Sequence, residues 1–264
     1  MDYEDLLLEK KDRIATITLN VPEKLNALTL KMRRSLPLVM DEVARDDEVR
    51  VVIVTGAGRA FCAGGDVEAM KARFEGTLEE PRYELLRQIG YWSESFIRMD
   101  KLIIAAINGA CVGAGFTMAM TCDFRIASET AKFGSLFIAR ALTPDCGLTY
   151  LLPRTVGISK ALELMIMGEL ISAAEAERLG IVSRVVPPDE LMKTARELAA
   201  RIAQQPPIAV ELTKKLVYKG MIGDLSHHLD WETYGQRTCF QTEDHKESVR
   251  AFLEKRPQPQ FKGK

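Results

Sequence analysis

Two glycine-rich stretches carry groups able to steady a developing negative charge. In TGAGRAFCAGGDVEAM, residues 55–70, a β-branched strand runs through Gly56, Gly58, Gly64 and Gly65 into a helix expected near Val67. In NGACVGAGFTMAM, residues 108–120, Gly109, Gly113 and Gly115 lead into a second helix. The first N–H groups of a helix have no intrahelical acceptor. Two such starts aimed at one point make an oxyanion hole, suited to a thioester or acyl carbonyl that passes through an enolate. Taken singly, the same glycines only permit tight turns and close strand–helix packing. Neither stretch fits a dinucleotide fingerprint, because Met118 and Phe61 stand where the third glycine belongs, and no G-K-[S/T] follows to form a phosphate loop.

One carboxylate sits where its basicity is open to change. ALTPDCGLTY, residues 141–150, places Asp145 among apolar, hydroxylic and turn-forming residues. A free aspartate titrates at about 3.9, and apolar walls, here expected from Phe137, Leu142 and Leu148, push that value toward the range of a proton-abstracting base. The competing duty is capping of a helix expected over 147–154, a common role for Asp before a helical run. Histidine, the usual proton handler near neutral pH, occurs only as His227, His228 and His245, at ordinary helical spacing near the end of the chain. The five cysteines are odd in number, widely spaced and without a C-x-x-C pair, which predicts reduced thiols and no metal site.

The elements that must position these groups are readable from periodicity. LLLEKK and IATITLN, joined by a charged turn, predict a hairpin. LTLKMRRSLPLVMDEVARDDE has helical spacing interrupted by Pro37. VVIVTG (51–56), IIAAIN and DFRIAS (123–128) read as strands, with a helix over 81–99 between the first two. Residues 102–122 are uncharged and long enough to span a bilayer, but Asn108-Gly109 and the later glycines divide them into a strand (102–107), a turn and a helix starting near Gly113. Strand–helix alternation predicts α/β layering with parallel pairing. After residue 157 successive helical patterns follow, interrupted only by IVSRVV (181–186) as a strand.

Length and composition fit one large soluble domain or a domain with an appendage: 264 residues, 47% hydrophobic and 28% charged. Thirty-six basic and 37 acidic residues leave a formal net charge of −1, which offers no field for nucleic acid or anionic membrane. The N-terminal residues lack a signal or transit pattern, so a cytoplasmic location is expected.

Taken together and in order, LNVPEKLNALT, VVIVTGAGRAFCAGGDV, IIAAINGACVGAGFTMAMTCDFRIAS, AKFG, GLTYLLPRTVG and AFLEKR resemble the enoyl-CoA hydratase/isomerase (crotonase) superfamily over nearly the whole chain. The resemblance implies an α/β fold, a crotonase-like spiral of β-β-α turns over 1–200, and a helical C-terminal trimerisation region over 201–264. It also implies a homotrimer or homohexamer acting on acyl-CoA thioesters, with coenzyme A arriving as part of the substrate and no separate cofactor. Carried over by position, the oxyanion-hole N–H groups belong to Gly65 and Ala114. Lys24, Leu25, Ala63, Asp66 and Val67 match segments that line coenzyme A, Phe137 flanks the acyl group, and Phe252 and Lys255 match positions that reach the coenzyme from the tail.

Hydratases of this family carry two catalytic glutamates, and the matching positions here are Thr117 and Phe137. Water addition needs both a base and an acid. A 1,3-shift of a double bond needs one carboxylate, which takes a proton from C2 and returns it at C4. Pro144-Asp145-Cys146-Gly147, the following LLPR and the terminal QFKGK resemble isomerase branches, including ring-epoxide isomerases of phenylacetyl-CoA breakdown, in which this aspartate is catalytic. Three readings result: an acyl-CoA double-bond isomerase using Asp145; a hydratase with its acid and base relocated, for instance onto Asp145 and a helical glutamate such as Glu68, Glu84 or Glu94; and a non-catalytic acyl-CoA-binding subunit. A dehalogenase-like use of Asp145 lacks the His and Trp it needs. Residues 70–100, with Phe74, Tyr83, Tyr91 and Trp92, are expected to shape the acyl pocket.

Overall fold

The computed structural model describes residues 3–77 and 82–264, and no side chain of residues 82–89. β1 (Leu6–Lys11) and β2 (Ile14–Leu19) form the expected hairpin, with Lys11 opposite Ile14. Its two connecting residues, Asp12 and Arg13, both have positive φ, 53° and 65°. That is the pattern of a type I′ turn, whose twist suits paired strands. After α1 (Leu30–Arg45) come three repeats of a long strand followed by a short one. β3 (Val51–Gly56) leads to β4 (Ala60–Cys62), then α2 (Val67–Phe74) and α3 (Arg82–Ile97). β5 (Leu102–Ile107) leads to β6 (Ala110–Val112) and α4 (Ala114–Thr121), and β7 (Phe124–Ser128) to β8 (Lys132–Gly134).

The remainder is α5 (Leu148–Val156), α6 (Ile158–Met167), β9 (Ile171–Ser172), α7 (Ala173–Arg178), β10 (Arg184–Val186) and four helices. These are α8 (Leu191–Ala203), α9 (Pro207–Gly220), α10 (Leu225–Gln241) and α11 (Glu243–Leu253). The long strands make one sheet, β1-β2-β3-β5-β7-β10, parallel from β2 onward; the short ones make a second, β4-β6-β8-β9. This is the spiral of β-β-α turns that the resemblance implies.

The unbroken apolar runs of β3 and β5 follow from burial on both faces. Val52, Val54, Ile103, Ala105 and Ile107 join the main core with Met32, Leu36, Trp92, Phe96 and Phe116. The alternate residues, Val51, Ile53, Ile104 and Ala106, pack against Leu191, Ala195 and Ala199 of α8. The expected 200/201 boundary lies inside α8, which ends at Ala203. α9 is tied to the sheet by a buried polar cluster. Lys214 Nζ donates to Asp123 Oδ2 (2.8 Å) and the Lys101 carbonyl (3.0 Å), and Tyr218 donates to Asp123 Oδ1 (3.0 Å).

Three details differ from the sequence reading. Pro37 does not interrupt α1, although an internal proline costs about 3 kcal/mol; one helix face buries Met32, Leu36, Val39, Met40 and Val43, which offsets it. In IVSRVV only Arg184–Val186 is strand. The three-residue strands β4 and β6 lie inside stretches read as turns. Among the described residues no helix is long and apolar enough to cross a membrane, and no group of His, Cys, Asp and Glu is placed to hold a metal ion.

Candidate active site

The two glycine-rich junctions meet because β4 and β6 pair in parallel, Ala60 beside Ala110 and Cys62 beside Cys111. Gly64 (φ 94°) and Gly113 (φ 55°) both adopt conformations that side chains disfavour. A Cβ on Gly64 would stand 3.0 Å from the Val112 carbonyl and 3.5 Å from the Ala114 nitrogen, and one on Gly115 would collide with the Cys62 carbonyl at 2.2 Å. The loops are thus in contact, Gly64 against Gly113 and Ala114, and Gly65 follows Gly64 in the chain. Ala114 is the first residue of α4, so its N–H has no intrahelical acceptor. Neither this N–H nor that of Gly65 finds an acceptor among the described residues.

A third strand of chain clips this arrangement from outside. The Leu28 N–H donates to Gly64 O (2.7 Å) and the Ala63 N–H to Leu25 O (3.0 Å). Leu25 and Asn26 have positive φ, and the fully buried Asn26 amide donates to Ala57 O and Ala60 O while accepting from the Val21 N–H. The segment holding Lys24 and Leu25 therefore runs beside Ala63–Val67. Lys24 ion-pairs with Glu68 and with Asp66 (3.5 Å), at the edge of a cavity of about 420 Å³. Asp66 also caps α2 by accepting from the Glu68 N–H, while Val67 is exposed.

Asp145 does not cap its helix. The N-cap of α5 is Gly147, and no side chain accepts there. The carboxylate is half-buried, its Oδ1 is buried without a partner, and the Thr117 hydroxyl donates to the Asp145 carbonyl (3.3 Å), which fixes the loop over the first turn of α4. Burial pushes the Asp145 carboxyl above the usual range, while the Cys146 thiol and then the Arg33 guanidinium pull it part of the way back. Phe137 and Leu148 are buried as expected, but Leu142 is exposed and forms no wall.

Other expected residues lie elsewhere. Glu68 is taken up by Lys24, and Glu94 is half-exposed and paired with Arg98, so neither stands as a free second acid; the side chains of Glu84 and Tyr83 fall outside the described residues. Trp92 is buried beside Cys146, whereas Phe74 and Tyr91 are exposed. Phe252 is 82% exposed on α11, and no described contact joins it or Lys255 to the junctions. Two site residues escaped the sequence reading. Met70 of α2 covers Gly65, its Cε 2.5 Å from where a Cβ would stand, and Arg33 of α1 brings Nη2 to 4.0 Å from the same point. On α1, Arg33 reads as a surface charge beside Arg34, and no local signal marks it.

The profile of the family described as enoyl-CoA hydratase/isomerase matches residues 9–264. The chain is 39% identical to the short-chain-enoyl-CoA hydratase of Clostridium acetobutylicum, with 100% of each chain covered. It is 36% identical to the 1,2-epoxyphenylacetyl-CoA isomerase of Escherichia coli over 99% of each. Among solved structures, the enoyl-CoA hydratase from Bacillus anthracis superposes with a TM-score of 0.92 at 35% identity, covering 99% of this chain and 100% of that one.

Proposed function

The chain belongs to the enoyl-CoA hydratase/isomerase family, and we propose that it is an acyl-CoA double-bond isomerase. In this reading the Gly65 and Ala114 N–H groups hold the thioester oxygen. The Asp145 carboxylate removes a C2 proton, the electron pair spreads through the double bond onto the held oxygen as a dienolate, and Asp145 returns the proton at C4. The substrate's coenzyme A runs past Lys24–Leu25 and Ala63–Val67, and a trimer or hexamer brings Phe252 and Lys255 of the tail toward it.

The observation that carries the reading is the state of Asp145. Where hydratases of the family hold two glutamates, this chain has Thr117 and Phe137. Thr117 serves to fix the Asp145 loop, and Asp145 itself is an uncapped, half-buried carboxylate with raised proton affinity. One base suffices for a proton shift, whereas hydration also needs an acid.

A second reading, hydration, draws support from the relative named as a hydratase. Glu68 and Glu94 are ion-paired, so this reading requires its second acid from another position. The deciding experiment mixes the protein with a 3-enoyl-CoA and, separately, a 2-enoyl-CoA, and identifies products by mass and by thioester absorbance. Isomerisation predicts conversion of the first to the conjugated isomer without gain of water. Rapid formation of 3-hydroxyacyl-CoA with no positional shift would instead establish the hydratase.

A further inference from the structure

The proton shuttle leaves Arg33 without a task. Its side chain crosses from α1 to the first oxyanion-hole residue, with Nη2 4.0 Å from the Cβ position of Gly65. Its Nε is buried, and its guanidinium makes no hydrogen bond or ion pair among the described residues. Asp145 Oδ1 is likewise buried without a partner, and the two side chains do not close into an ion pair. A buried charged donor left open is costly, and the cost is relieved when an acceptor arrives. Arg33 therefore lies near both Gly65 and Asp145, with one buried atom of the cation, Nε, and one of the anion, Oδ1, left open.

The chemistry of a partner follows from the two groups. A guanidinium offers donors only, so the incoming atom is an acceptor. Asp145 already brings one negative charge, and a second carboxylate close by would repel it. A neutral oxygen satisfies Arg33 without that conflict. Resting on the isomerase reading above, we propose that Arg33 recognises a hydroxyl, keto or epoxide oxygen carried by the acyl group beside the carbons that exchange the proton. The substrate class is then an oxygenated acyl-CoA in preference to a plain hydrocarbon chain.

The test compares wild type, Arg33→Met and Arg33→Lys. Calorimetry measures binding of a saturated acyl-CoA and of the same chain bearing a hydroxyl two carbons beyond C3. Hydrogen bonds to charged groups support a preference of about tenfold or more for the hydroxylated thioester in wild type. Arg33→Met is expected to bring the ratio to about one, and Arg33→Lys to keep part of it. Equal binding of both thioesters by wild type, or an equal loss for both in Arg33→Met, overturns the proposal. Turnover of the corresponding 3-enoyl-CoA pair is measured separately. No turnover of either, with the binding preference intact, rejects the isomerase reading and leaves the recognition by Arg33 standing.

Discussion

A carboxylate acts as a base toward carbon when burial raises its proton affinity and one of its oxygens is left open to the proton. Asp145 meets both conditions, since burial raises it and Oδ1 has no partner. The sign of the pH effect follows. The base is competent only when ionised, so kcat/KM for isomerisation should fall as pH drops through a value above that of a free aspartate, about 3.9. Arg33 lowers that value, so Arg33→Met should move the acid limb upward. An acid limb at the ordinary carboxylate position, unmoved in the variant, would count against Asp145 as the base. For stability the same shift runs the other way. A raised folded-state value contributes stability that is present below the unfolded value and lost as pH rises through the folded one. The position of Asp145 was legible in its Pro-Asp-x-Gly setting, but its direction was not, because residue type alone is equally consistent with a helix cap. The structure decides by placing Gly147 at the cap.

At the scale of elements, the site is a meeting of two loops, and glycines 64, 113 and 115 set how closely they meet. Gly64→Ala should push the Ala114 nitrogen away and lower kcat/KM about 10²-fold, the cost of losing one oxyanion donor; a loss under threefold would mean the N–H pair is not used. Long strands were legible because each buries two faces and reads as an apolar run. The short β4 and β6 were not, because three residues carry no period and their flanking glycines read as turns. α9 supplies a second element-scale test. Its Lys214 is buried against Asp123, so Lys214→Met leaves a buried carboxylate without its cation and should cost about 3–5 kcal/mol in denaturant unfolding. A change near zero would show that Tyr218 and the Ile103 N–H suffice to hold Asp123.

At the scale of the molecule, apolar side chains stand exposed along α6 and α10, among them Ile158, Leu162, Trp231, Tyr234 and Phe240. Exposed apolar surface of this kind suits association, and the proposed trimer or hexamer would give the tail residues Phe252 and Lys255 their route to the acyl-CoA. Light scattering should therefore return three or six times the 29.5 kDa chain mass; a monomer at micromolar concentration would remove both residues from the site. The family and its layering were legible in the order of motifs, whereas Arg33 emerged only when folding brought α1 against the Gly65 loop. The most direct test of the whole account is turnover of a 3-enoyl-CoA by Asp145→Asn beside its thermal melt. The proton shuttle predicts a fall of about 10²–10⁴-fold with a melting temperature at neutral pH equal to or above wild type, because the variant no longer holds a half-buried charge. Turnover at the wild-type rate would contradict it.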